Sequence, residues 1–156
     1  MNTTQCYDVR LDEDRLPYLI RECTVVYPDN LRSNSPGLIS KWIGETLDLE
    51  RRSKELLVLI CFDIHFMIIG FSIISIGTVD TACASPREIF QTALAVGANK
   101  IVLVHNHPSG DPQPSKSDMD ILELVKRAGE IIEIELTDFI ITGRGIYYSA
   151  REHDRF

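Results

Sequence analysis

The stretch HNHPSGDPQPSKSD, from His105 to Asp118, holds the residues of this chain whose types and spacing best suit chemistry. It follows the apolar residues 101–104, which read as a short buried strand. Side chains two apart on a strand share a face, so His105 and His107 point the same way at its end. Pro108, Gly110, Pro112 and Pro114 then break regular structure and turn the chain back. Asp118 falls in the first turn of a helix expected over residues 115–128. Two imidazoles and a carboxylate therefore converge. Three N and O donors with a fourth position open make up a catalytic zinc site.

Plainer readings stand beside this one. Ser115-Lys116-Ser117-Asp118 is also an S-x-x-D capping box, and an acid in a first helical turn is favoured by the helix dipole. A histidine at a strand end is commonly hydrogen-bonded structure. Zinc hydrolysis further needs a base to take a proton from water, and no HExxH helix supplies one. The pattern offers Glu45, Glu50, Glu55, Asp63 and Glu88. Glu55 heads a strand otherwise apolar from Leu56 to Phe62, where a carboxylate stands out. Its alternative is a solvated strand-edge acid paired with Arg51. The letters HNH are no nuclease signature, because the three residues are dispersed in those enzymes. A nucleobase deaminase needs H-x-E with PCxxC, and neither occurs here.

The elements that position these residues follow from local signals. Ser35 and Pro36 read as an N-cap and a first helical position, with Leu38, Ile39, Trp42, Ile43, Thr46 and Leu47 at helical spacing. That helix is expected to end near residues 51–54. Residues 55–63 and 66–76 read as apolar strands joined at Asp63-Ile64-His65. Ser85 and Glu88 form a capping box, with Pro86 at the first helical position and Gly97 closing the helix. Residues 130–141 and 146–149 read as strands around Gly143-Arg144-Gly145. Residues 1–33 are polar and mixed, with a strand over 21–27 and a turn at Pro28-Asp29-Asn30. The tail REHDRF reads as frayed. Helices alternating with apolar strands predict an α/β sandwich with a mixed sheet, as one domain spanning residues 1–156.

Composition excludes some partners. With 23 acidic against 16 basic residues the net charge is -7, which disfavours a phosphate backbone. The densest basic spots, Arg51-Arg52-Lys54 and Lys126-Arg127, read as solvated helix faces. Cys6, Cys23, Cys61 and Cys83 show no CxxC and no regular spacing, which points to a reducing compartment. No secretory h-region opens the chain and no apolar run reaches membrane-spanning length, so the expectation is a cytoplasmic protein.

The spacing His105-x-His107-x7-Ser115-x2-Asp118 resembles the JAMM (MPN+) metalloprotease motif. SIGTVDTACASPREIFQTAL followed by KIVLVHNHPSGDPQPSKSD resembles the bacterial RadC family, over about residues 35–149. The resemblance implies a three-layer α/β/α sandwich related to cytidine deaminases. It implies zinc (Zn2+) on His105, His107 and Asp118, Glu55 as general base, and Ser115 as a donor to the tetrahedral oxyanion. The implied activity is hydrolysis of peptide, isopeptide or other amide bonds in a peptide or protein substrate. A DNA-associated accessory domain with a structural metal is the alternative, since members often carry a DNA-repair label. Two departures stand out. Residues 1–33 show no helix-hairpin-helix pattern, and Ser85 occupies a position where the family commonly has histidine.

Overall fold

The computed structural model describes residues 1–77 and 84–156. In chain order its elements are β1 (Asn2–Leu11), β2 (Pro17–Tyr27), α1 (Pro36–Leu47), a 3-10 turn (Leu49–Arg51), β3 (Leu56–Phe62), β4 (Ile68–Ile76), α2 (Pro86–Val96), β5 (Lys100–Asn106), α3 (Lys116–Ile132), β6 (Glu135–Thr142) and β7 (Tyr147–Ser149). The strands form one seven-stranded mixed sheet in the order β2-β1-β4-β3-β5-β6-β7.

β3 explains the layering. Its seven residues LLVLICF are all buried, so both of its faces need cover. Leu56, Val58, Ile60 and Phe62 pack on one side with Ile39, Trp42 and Ile43 of α1. Leu57, Leu59 and Cys61 pack on the other with Ile89 and Phe90 of α2 and Leu122 and Val125 of α3. The period-two alternation of one strand thus feeds two cores, and the fold is an α/β/α sandwich.

Two pairings bring distant residues together. β3 and β5 run antiparallel with Leu57 opposite His105, so the start of β3 lies beside the end of β5. β5 and β6 run parallel, and α3 is the crossover between them. A helix leaving the end of a strand in such a crossover starts over that strand end. The N-terminus of α3 is therefore carried to His105 and His107.

Several expectations are corrected. Residues 1–33 hold two long paired strands, β1 and β2, rather than one strand over 21–27. β1 is polar over its first residues and is paired on both sides, with β2 at the sheet edge and with β4. α1 stops at Leu47 with Asp48 left-handed (φ 51°), so Arg51 closes a 3-10 turn and Arg52 and Lys54 lie outside any helix. α3 runs on to Ile132, so residues 130–132 are helical and β6 begins only at Glu135. The tail makes turns rather than fraying, with Arg155 N bonded to Ala150 O and His153 stacked on Tyr148. Ser35 occupies the N-cap position of α1 without a side-chain capping bond. The Asp63 turn, the Ser85–Glu88 box and the Gly97 cap are as expected. Cys6, Cys23 and Cys61 are free thiols, and Cys83 lies outside the described residues. Among the described residues no helix is long and apolar enough to cross a membrane.

Candidate metal centre

His105 and His107 sit at the end of β5, and each ring is oriented through Nδ1. His105 Nδ1 lies 3.1 Å from Leu56 O and His107 Nδ1 lies 2.8 Å from Asp111 O. A carbonyl oxygen only accepts, so each Nδ1 carries the hydrogen and, in the neutral ring, each Nε2 keeps its lone pair. This is the outer bonding that orients histidines which ligate metals. The HPSGDP loop that supplies Asp111 is itself pinned, because Arg144 N donates to Gly110 O. Gly143 is required there: a Cβ on it would meet Gly110 O at 2.5 Å.

Both Nε2 atoms face carboxylates. His105 Nε2 is 3.5 Å from Glu55 Oε2 and 3.6 Å from Asp118 Oδ1, and His107 Nε2 is 3.4 Å from Asp118 Oδ2. These gaps are long for hydrogen bonds between such groups. Two ligands about 2.0–2.1 Å from one tetrahedral ion would lie roughly 3.3 Å apart, which is close to the spacing seen. One donor atom each from Glu55, His105 and His107 lies within 4.8 Å of the others, a buried His-His-Glu cluster able to hold a metal ion. Asp118 adds a second carboxylate and offers a different oxygen to each imidazole.

Electrostatics suit a cation. Burial pushes the His105 pKa down, against the upward pull of Asp118, which favours the neutral imidazole. The neighbouring Asp118 carboxylate lifts His107 above the ordinary value, outweighing its partial burial. For Asp118 burial acts upward, but His107 and Ser115 together prevail and hold it at about 2. It is a carboxylate at neutral pH.

Asp118 caps α3 and at the same time faces the imidazoles. Its Oδ2 accepts Ser115 N at 2.7 Å and its own N donates to Ser115 Oγ at 3.2 Å, a complete capping box. Its Oδ1 meanwhile faces His105. Ser115 stands at the mouth of the site with its hydroxyl donated to Asp118 Oδ2 at 2.6 Å.

Of the five acids considered, Glu55 is the one at this cluster, and it is buried rather than solvated. Arg51 lies near Asp48 instead, at 4.0 Å. Glu50 accepts Gly145 N, Asp63 holds the β3–β4 turn, Glu88 caps α2 and Glu45 is exposed on α1. Glu55, His107, Pro108, Ser109, Ser115, Ser117 and Asp118 line an open cavity of about 430 Å³. A larger cavity of about 620 Å³ lies at the other end of β5, by Asn99, Lys100 and Glu135, away from the imidazoles.

Reasoning from sequence missed Asn106. It is buried between the two histidines and hydrogen-bonds Leu49 O, Lys54 O and Leu56 N. The available signal was strand alternation, which turns residue 106 away from the histidine face.

Comparison with known proteins shows the family of the chain. A family model described as "RadC-like JAB domain" matches residues 34–155. A UPF0758 protein of Thermotoga maritima is 42% identical over 114 residues, covering 73% of this chain and 50% of the relative. Another, from Alkaliphilus oremlandii, is 35% identical over 125 residues, covering 80% and 53%. A third, UPF0758 protein tlr1707 of Thermosynechococcus vestitus, is 36% identical over 119 residues, covering 76% and 47%. The chain spans about half the length of these curated relatives.

Proposed function

We propose, from the premise that this chain belongs to the RadC-like JAB domain family, that it is a zinc-dependent hydrolase of peptide, isopeptide or other amide bonds. The observation that carries the reading is the convergence of two Nε2 atoms, each freed by an Nδ1 bond to a carbonyl, on two buried carboxylates. His105, His107 and Asp118 would hold the ion, and Glu55 would stay outside the ligand set. A zinc ion so held supplies a Lewis acid for the scissile carbonyl and makes water acidic enough to attack near neutral pH.

The remaining steps belong to the chain's own groups. Glu55 Oε2 takes the proton of the attacking water and returns it to the leaving amine nitrogen. Its place 3.5 Å from His105 Nε2 supports that duty. Ser115 turns its hydroxyl from Asp118 toward the developing oxyanion; comparable donors contribute about 3 kcal/mol where they have been removed. The open cavity beside Glu55 and Ser115 admits an extended polypeptide segment better than it encloses a small molecule. A net charge of -7 also suits a protein substrate better than nucleic acid, and the free thiols suit a cytoplasmic setting.

Glu55→Gln keeps the side-chain shape but cannot accept the proton. It is expected to keep about one zinc per chain and to lose hydrolysis of a quenched-fluorescent peptide and lysine-isopeptide library by a factor of about 10² or more. Turnover unchanged by Glu55→Gln would refute the assignment.

A further inference from the structure

We infer that Asn106 is the positioning residue that holds Glu55 against the imidazoles. The inference rests on the hydrolase reading only for the duty given to Glu55; the positioning itself is a matter of geometry. Glu55 precedes β3, at the end of an exposed irregular stretch, residues 52–54. Nothing in its own local sequence determines where its backbone lies.

Among the described residues, four hydrogen bonds hold Glu55 and its two neighbours. Gly77 N donates to Glu55 O at 2.8 Å, and Leu56 O meets His105 Nδ1 at 3.1 Å. The other two come from Asn106: Nδ2 donates to Lys54 O at 3.2 Å, and Oδ1 accepts Leu56 N at 2.7 Å. Nδ2 also reaches Leu49 O at 3.4 Å, tying in the preceding 3-10 turn. Asn106 thus grips the chain on both sides of Glu55. The bonds made by Lys54 and Leu56, the two neighbours of the acid, run to His105 and Asn106 of one strand.

The residue type is specific to this work. The grip needs one acceptor and two donor hydrogens within the reach of a single methylene, which asparagine supplies. Aspartate lacks the donors and serine has one hydrogen. Asn106 is 2% exposed and its bonds to Leu56 N and Leu49 O are buried, so water does not readily replace those two if they are lost. Alternation along β5 sends the histidines toward the cavity and Asn106 toward the β3 leader. One three-residue stretch therefore orients two candidate ligands and the base that would serve them.

Co2+ in place of zinc gives a readout independent of catalysis, because its visible bands respond to the groups around the ion. Asn106→Ala is expected to stay folded by thermal melt, to bind Co2+ within about threefold of the unsubstituted protein, and to shift the bands as Glu55→Gln does. Added to Glu55→Gln, it should bring no further spectral change, since both act through one carboxylate. Bands identical to the unsubstituted protein in folded Asn106→Ala overturn the inference. So does an additive shift in the double variant, or a Glu55→Gln spectrum without any shift. Should Asn106→Ala not fold, Asn106→Asp keeps the size and the acceptor for Leu56 N but removes both donors; unshifted bands there are equally fatal. Absence of amide hydrolysis in the unsubstituted protein sinks the hydrolase reading alone, since the spectra test the positioning separately.

Discussion

Ser85–Glu88 at the start of α2 and Ser115–Asp118 at the start of α3 are built alike. In each box the serine hydroxyl accepts the amide of the third helical residue, and that residue's carboxylate accepts the serine amide. The bonds to Ser85 N and Glu88 N are 3.2 and 3.4 Å, in an exposed setting. Those to Ser115 N and Asp118 N are 2.7 and 3.2 Å, and there the carboxylate is buried. The decisive difference lies across from the box. Asp118 faces two imidazoles delivered by β5, whereas Glu88 serves its helix start at the surface. The same local motif gains two imidazole neighbours when a strand end is placed opposite it.

The comparison can be broken most sharply at the imidazoles. His105→Ala with His107→Ala should take zinc from about one per chain to none, weakening binding by about 10³-fold or more, while Glu88→Ala leaves it unchanged. Elemental analysis of protein purified without chelator decides this, and stoichiometric zinc in the double variant would defeat the metal assignment.

A smaller effect is expected at the carboxylate itself. Asp118→Asn can still accept Ser115 N, so the cap survives while a ligand charge is lost. Zinc affinity should fall by roughly 10- to 100-fold in a chelator competition, against no change for Glu88→Gln. Equal affinity would mean that Asp118 is only a cap.

The pH dependence of zinc uptake separates the two histidines. His105 is held neutral by burial, so it brings no proton to expel. His107 is raised by Asp118, so below that raised value the proton must leave before the ion binds. Affinity should therefore fall by about tenfold per pH unit just below the raised His107 value, the slope for one proton, and steepen only below the lowered His105 value. A two-proton slope already present just below the raised His107 value, and unchanged in His107→Ala, would contradict the lowered His105.

The smallest effects belong to the caps. Ser85→Ala and Ser115→Ala should each cost about 1 kcal/mol in urea unfolding. Zinc should remain stoichiometric in both, because neither serine is a proposed ligand. Loss of zinc in Ser115→Ala alone would show that the hydroxyl holds Asp118 in place for the ion.

Much of the fold was readable because its signals are local. Both capping boxes, the Asp63 turn, the Gly97 cap and the apolar run of β3 involve residues a few positions apart or one uniform stretch. β1 was missed because its first half, NTTQ, is polar; the alternation of Tyr7, Val9 and Leu11 with Asp8 and Arg10 was the available signal, and long pairing with β2 completes the strand. The end of α3 misled for the opposite reason. Ile131 and Ile132 look like the start of a strand, yet the helix continues, leaving Ile131 82% exposed until Glu133 turns left-handed. The chain can then double back because Gly129 lies against Ile134 O, where a Cβ would sit at 2.4 Å.

By itself the sequence determined the donors, namely two same-face histidines, a capping aspartate and a conspicuous acid before an apolar strand. Only the tertiary structure decided that they meet. Glu55 lies 50 positions before His105, and no local rule relates them; the antiparallel register that sets Leu57 against His105 does. The same register gives Asn106 its work, since its partners at Leu49, Lys54 and Leu56 are 57, 52 and 50 positions away. Capping is a bond across three residues and can be read in a line, whereas a metal cluster is a coincidence of strand ends and exists only once the sheet has chosen its pairs.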